Sequence, residues 1–223
     1  MPRRAKWIIL KTGFGPGRSK MGLDNAYRKA IKEMQGINPY VVAAKSGANF
    51  EEGKFTIPFF HRSFLVHYPE IKLEEVGCDA PPPLFIQVLL LHYLLHAAGT
   101  PISGMWIGYR HLPGAFLFER RFNSWALDPL AKAFGNDAQG FRQAGLALGG
   151  SPMSRSGDAA FRFLALPKIP MGCILYLGDE EVPASINMLF DAAAPHYLPT
   201  EDLSYLGIYL SQALRGSLER ESG

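Results

Sequence analysis

Apolar residues recur along the chain with two different periods, and the switches between them predict the order of elements. Leu23, Ala26, Tyr27, Ala30, Ile31 and Met34 fall at helical spacing, with Asp24 as a cap and Gly36 as a stop. Asn38 and Pro39 predict the start of a second, short helix that ends at Gly47. The period then drops to two. Phe55, Ile57 and Phe59 alternate with polar or small neighbours, as do Phe64, Val66 and Tyr68, which predicts two antiparallel strands; Ile71 to Val76 adds a third. Pro81-Pro82-Pro83 opens a helix from Leu84 to about Ala98 that is apolar nearly all round and so belongs in the interior.

Beyond that helix, Met105 to Arg110 and Ala115 to Arg120 read as strands about a Pro113-Gly114 turn. Asp128-Pro129 starts a short helix ended by Gly135, and Asn136 is expected to cap another that stops at Gly149-Gly150. Ala159 to Leu166, Met171 to Leu177 and Ile186 to Phe190 read as strands. Thr200 is expected to cap a last helix reaching about Leu218, with Glu201 and Asp202 in the first turn, where the helix dipole favours anions. Strands and helices mix without regular βαβ alternation. The expected class is α+β, a largely antiparallel sheet packed against a central apolar helix and a C-terminal helix. Residues 1–22 read as a basic, Gly-rich N-terminal extension and residues 23–223 as one α+β domain.

Composition narrows the function classes. Apolar residues make up 48% of the 223 and charged residues 19%, enough for a sizeable core. The net charge is +3, and much of the excess sits in Arg3, Arg4, Lys6, Lys11, Arg18 and Lys20, so there is no general signal for nucleic acid. Cys78 and Cys173 form no CxxC and no cysteine metal cage. The longest apolar stretch falls short of the roughly 20 residues a bilayer span needs. The run Trp7-Ile8-Ile9-Leu10 is shorter than a signal-peptide core of about 7–15 residues. A cytoplasmic protein without a membrane span is expected. KTGFGPGRSK is not a P-loop, because Gly13 and Gly17 bracket three residues instead of four and Arg18 follows. There is no GxSxG and no dinucleotide fingerprint.

The segments LFIQVLLLHYLLHAAGTPISGMWIGYRHLPG, DPLAKAFGND, GDAAFRFLALPKIP, LGDEEVP and LFDAAAPHYLPTEDL, in that order, resemble the bacterial and archaeal DUF3786 family, whose activity is unassigned. The resemblance runs from about Leu23 to Leu218. Some members of that family carry an added cysteine-rich iron–sulfur module like that of corrinoid proteins. This chain lacks those cysteines, so the resemblance implies corrinoid or tetrapyrrole chemistry by context alone.

Three histidines stand out against that background. His92 and His96 are four apart and share one helix face, a spacing that can bind a metal, although Tyr93 rules out HExxH. His92 belongs to the resembling block, while His96 looks like a local variation. His196 lies in PHYLP, on a loop stiffened by Pro195 and Pro199, beside Tyr197 and with Asp191 or Glu201 as an orienting carboxylate. Asp179-Glu180-Glu181 could hold a cation, or form a solvated turn between Gly178 and Pro183. Arg110, Arg120 and Arg121 suit propionate or phosphate. Trp106, Tyr109, Phe116, Phe118, Phe122 and Trp125 could wall a flat ligand or fill a core.

The leading expectation is a cofactor-binding or accessory protein. It would hold a haem-like or corrinoid macrocycle, or a transition metal, through His196, His92, Tyr197, Arg110 and Trp106, with His196, His92 and Asp191 as metal ligands. Two alternatives stay open: an enzyme in which His196 works with Asp191 or Glu180 as acid and base, and an assembly factor that binds a protein partner without small-molecule chemistry.

Overall fold

The structure is a computed structural model and describes residues 20–154 and 157–221. The expected extension therefore lies outside the described residues up to position 19, and its last three residues belong to a helix. That helix, α1 (Lys20–Met34), turns Ala30 and Met34 into the interior. In α2 (Pro39–Ser46) the sequence signals act as expected. Asn38 Oδ1 accepts from the N–H of Tyr40 at 3.1 Å and of Val41 at 3.3 Å, and Gly47 closes the helix at φ 73°.

Four strands follow as an antiparallel meander: β1 (Asn49–Glu51), β2 (Lys54–Phe59), β3 (Arg62–His67) and β4 (Lys72–Glu75). Their alternation points Phe55, Ile57, Phe59, Phe64 and Val66 inward, each fully buried. Between β1 and β2, Glu52 and Gly53 both have positive φ, the conformation a tight hairpin turn needs. Strand β1 was not expected, because three residues are too few to display a period.

Helix α3 (Leu84–His96) is interior, as its all-round apolar sequence predicts. Tyr93, fully buried near its end, donates its hydroxyl to Ser46 O at 2.5 Å and accepts from the N–H of Lys168 at 3.0 Å. That one hydroxyl ties α2, α3 and the second sheet together, and burial pushes it far above the usual phenol range.

The chain then makes β5 (Trp106–Gly108), the segment α4 (Glu119–Phe122), α5 (Asp128–Phe134), α6 (Ala138–Ala147), β6 (Ser151–Pro152), β7 (Ala159–Leu166), β8 (Ile169–Tyr176), β9 (Ser185–Asp191) and α7 (Thr200–Glu221). The second sheet has the order β5-β9-β8-β7-β6 and is antiparallel throughout. The α+β class stands, but with two antiparallel sheets instead of one. They meet where the N–H of Phe60 donates to Ala165 O at 3.0 Å. One continuous core includes Phe55 and Ile57, Leu90, Phe163 and Cys173, and Leu206 and Leu210 of α7.

Four expectations change. Asp24 does not cap α1, because the helix begins at Lys20 and Asp24 lies inside it. Ala115 to Arg120 is not a strand: Ala115–Leu117 forms a 3-10 turn and Glu119 begins α4. Phe116 and Leu117, 78% and 68% exposed, have no core face to supply. Asp137, not Asn136, caps α6, its Oδ1 accepting from Gly140 N–H at 2.7 Å. Thr200 does not cap α7 with its side chain; it is the first helical residue, and its hydroxyl donates to Pro113 O at 2.6 Å. No helix of the described residues is long and apolar enough to cross a membrane.

Candidate functional site

The last turn of α3 and the first turn of α7 meet at a histidine–aspartate pair. His92 Nδ1 lies 2.5 Å from Asp202 Oδ2, with the His92 side chain 15% exposed and that of Asp202 2%. Helix packing explains the pair. The apolar residues around His92 bury α3, which leaves His92 at the rim facing α7, while the N-terminal end of α7 favours the Asp202 carboxylate. A carboxylate on Nδ1 makes that nitrogen the donor and leaves the Nε2 lone pair as the reactive position. Among the described residues Nε2 has no hydrogen-bond partner. His96 stacks edge-on against His92 with ring centroids 5.6 Å apart, and its Nδ1 donates to His92 O at 2.9 Å.

The other expected site residues take different parts. His196 is exposed, its Nδ1 3.0 Å from Thr100 Oγ1, and its carbonyl accepts from the N–H of Ala98 at 3.2 Å. It pins the loop after α3 and is open to water. Tyr197 is fully buried, stacks on Tyr93 with centroids 5.9 Å apart, and donates its hydroxyl to Thr100 O. It is a packing residue. Asp191 is bound to the chain around it. Its two oxygens accept from Ser103 N–H at 3.0 Å, Ser103 Oγ at 2.9 Å, Gly104 N–H at 2.8 Å and Ala193 N–H at 2.9 Å. Burial opposes its charge, yet these donors outweigh burial and hold the carboxyl below the usual range. Among the described residues no three His, Cys, Asp or Glu side chains gather as a metal site, so His196, His92 and Asp191 do not form one.

Asp179 accepts from Glu181 and Val182 N–H at 2.9 and 2.7 Å, the geometry of a solvated turn. Both cysteines are free, and burial pushes the Cys173 thiol up to about 12. Trp106 is half-buried on β5, opposite Asp191. The aromatic segment is not one wall. Tyr109 and Phe122 are buried and stacked at 3.9 Å, whereas Phe116 points to solvent.

Arg110 belongs to a second feature, a cleft of about 350 Å³ at the edge of the second sheet. Tyr109 and Phe122 line it together with Arg110, His111, Glu119, Asn123 and Asn187. Between α4 and α5 the helix runs without a break through a π-helical turn, Asn123–Leu127. Such turns widen a helix by one residue and recur at functional sites. Tyr109 connects the two features. Its ring lines the cleft, and its hydroxyl donates to Thr200 O at 3.4 Å, two residues before Asp202.

A family model for DUF3786, a domain of unknown function, matches residues 38–213 of the 223. The chain belongs to the DUF3786 family. The match leaves out α1, so it is narrower than the span over which the sequence resembles the family. No curated protein and no solved structure matches this DUF3786 chain. Asp202 of the DUF3786 site was visible in the sequence only as an acid in a helix's first turn. The cleft left no sequence signal, because a π-helical turn has no motif and Asn123 and Asn187 are far apart in the chain.

Proposed function

We propose that this DUF3786 protein holds a metal-centred macrocycle of the haem-like or corrinoid class, with His92 Nε2 as the axial ligand. The observation that carries the reading is the 2.5 Å contact between His92 Nδ1 and the buried Asp202 carboxylate. A ligating imidazole is oriented and made more basic when its other nitrogen donates to a carboxylate, and here that leaves Nε2 for a metal. The donor set favours a macrocycle over a bare ion. A bare transition-metal ion needs three or four protein donors, and no such group occurs among the described residues. A tetrapyrrole brings its own equatorial nitrogens and asks the protein for one or two axial ligands. Two free thiols suit the reducing cytoplasm, the compartment in which this reading puts the protein.

The same pair also suits an acid–base enzyme, with Asp202 orienting His92 and Nε2 moving the proton. Titration of the purified protein with haemin and with diaquocobinamide, followed by absorbance, separates the two. A saturable band shift is expected for one of them, abolished in His92→Ala, weakened about 10–100-fold in Asp202→Asn and unchanged in His196→Ala. No shift with either macrocycle, in protein whose circular dichroism is native, overturns the cofactor reading and leaves the acid–base one.

A further inference from the structure

We infer that the cleft beside the π-helical turn binds a small zwitterion, in chemical class a free α-amino acid with an apolar side chain. The inference is independent of the His92 site and rests on the cleft's charge pattern. Arg110 and Glu119 carry opposite charges into one cleft of about 350 Å³, yet they form no ion pair with each other. Opposite charges that share a cavity and stay apart suit a ligand that carries both complementary charges and lies between them. A guanidinium takes a carboxylate in bidentate fashion, and a carboxylate takes an ammonium.

The neutral polar groups fit the same ligand. The side chains of His111, Asn123 and Asn187 have no hydrogen bond and no ion pair among the described residues. The backbone of Gly108 opens the space between two of them. A Cβ at that position would stand 3.7 Å from His111 Nδ1 and 4.0 Å from Asn187 Oδ1. An amide both donates and accepts, so Asn123 and Asn187 can bond either end of a zwitterion.

The floor is apolar and rigid. Phe122 and Met188 are buried to within 1%, and Phe122 is locked by its 3.9 Å stack on Tyr109. The volume sits at the lower end of ordinary small-ligand sites, about 300–1,000 Å³, which suits an amino acid and excludes a macrocycle. Asn123 and Leu127, the first and last residues of the π-helical turn, both line this space.

Calorimetric titration of the full chain, with no metal or macrocycle added, tests the inference with three probes that share one apolar side chain. These are L-leucine, 4-methylpentanoate, which lacks the ammonium, and isoamylamine, which lacks the carboxylate. Leucine is expected to bind about tenfold or more tighter than either analogue, the scale of one lost charged hydrogen bond. Arg110→Gln should erase the advantage over isoamylamine, and Glu119→Gln the advantage over 4-methylpentanoate. Both side chains lie outside the core, so the variants keep the fold. No heat with leucine, equal affinity for all three probes, or leucine binding untouched by both substitutions overturns the proposal. None of these outcomes bears on whether His92 takes a macrocycle.

Discussion

The four hydrogen bonds converging on Asp191 join the end of β9 to the loop entering β5, and they make this residue a stability determinant. Asp191→Ala should cost about 1–3 kcal/mol, because it strands the buried Ala193 N–H, while the N–H groups of the exposed Ser103 and Gly104 can turn to water. The pH dependence follows from its depressed carboxyl. The folded value lies below the unfolded value of about 4, so the contribution is complete above that pH. It is lost as pH falls toward the folded value. Urea midpoints of wild type and Asp191→Asn, measured from pH 6 down to about 2, should converge only below about pH 4; a constant gap would show that the charge plays no part. At this scale the sequence was half legible. His92 could be chosen from its place on an apolar helix, but its partner is 110 positions away, and chain spacing does not encode such a contact. The contact of His196 with Thr100 was not legible, because a loop histidine between prolines looks the same in sequence whatever it binds.

Helix ends and alternating strands were readable wherever the physics is local: the Asn38 cap, the Gly47 stop and the inward phenylalanines of β2 all act within a few residues. The segment from Ala115 to Leu127 was not, since its conformation depends on what packs beneath it. Phe122 lies against Gly207 of α7, where a Cβ would come within 2.4 Å of Phe122 Cε2 and 3.3 Å of Met188 Sδ. Gly207→Ala therefore sets two effects against each other. Alanine gains about 1 kcal/mol in a helix, while overpacking a closed site costs about 1–3 kcal/mol. Phe122 cannot swing away, because it is fully buried and stacked on Tyr109, so the upper end of that cost applies. A net loss of about 1–2 kcal/mol is expected in urea unfolding. A stabilised variant would mean that Phe122 yields, and with it the rigid floor of the cleft.

For the molecule as a whole, the sequence pattern specified strands but not how they divide between sheets, because alternation marks a buried face without naming its partner. The division raises the question of whether the first sheet, β1 to β4, opens by itself. Its inner face carries Phe55, Ile57, Phe59, Phe64 and Val66, all without solvent exposure. Tyr209 of α7 lies 4.8 Å from the Phe59 ring and 5.2 Å from the Phe60 ring, and Phe60 N–H bonds Ala165 of the second sheet. Peeling that sheet away would expose five large side chains at about 1.5–3 kcal/mol each, about 10 kcal/mol in all. That equals the whole stability of an ordinary domain, about 5–15 kcal/mol. Opening the first sheet alone is then no cheaper than unfolding everything, and the two sheets should unfold together. Native-state hydrogen exchange checks this directly. The amides of Phe64 in β3 and Ile174 in β8 should exchange with the same opening free energy and the same denaturant dependence. A Phe64 amide that opens several kcal/mol more easily than Ile174 would mean that the shared core does not couple the sheets.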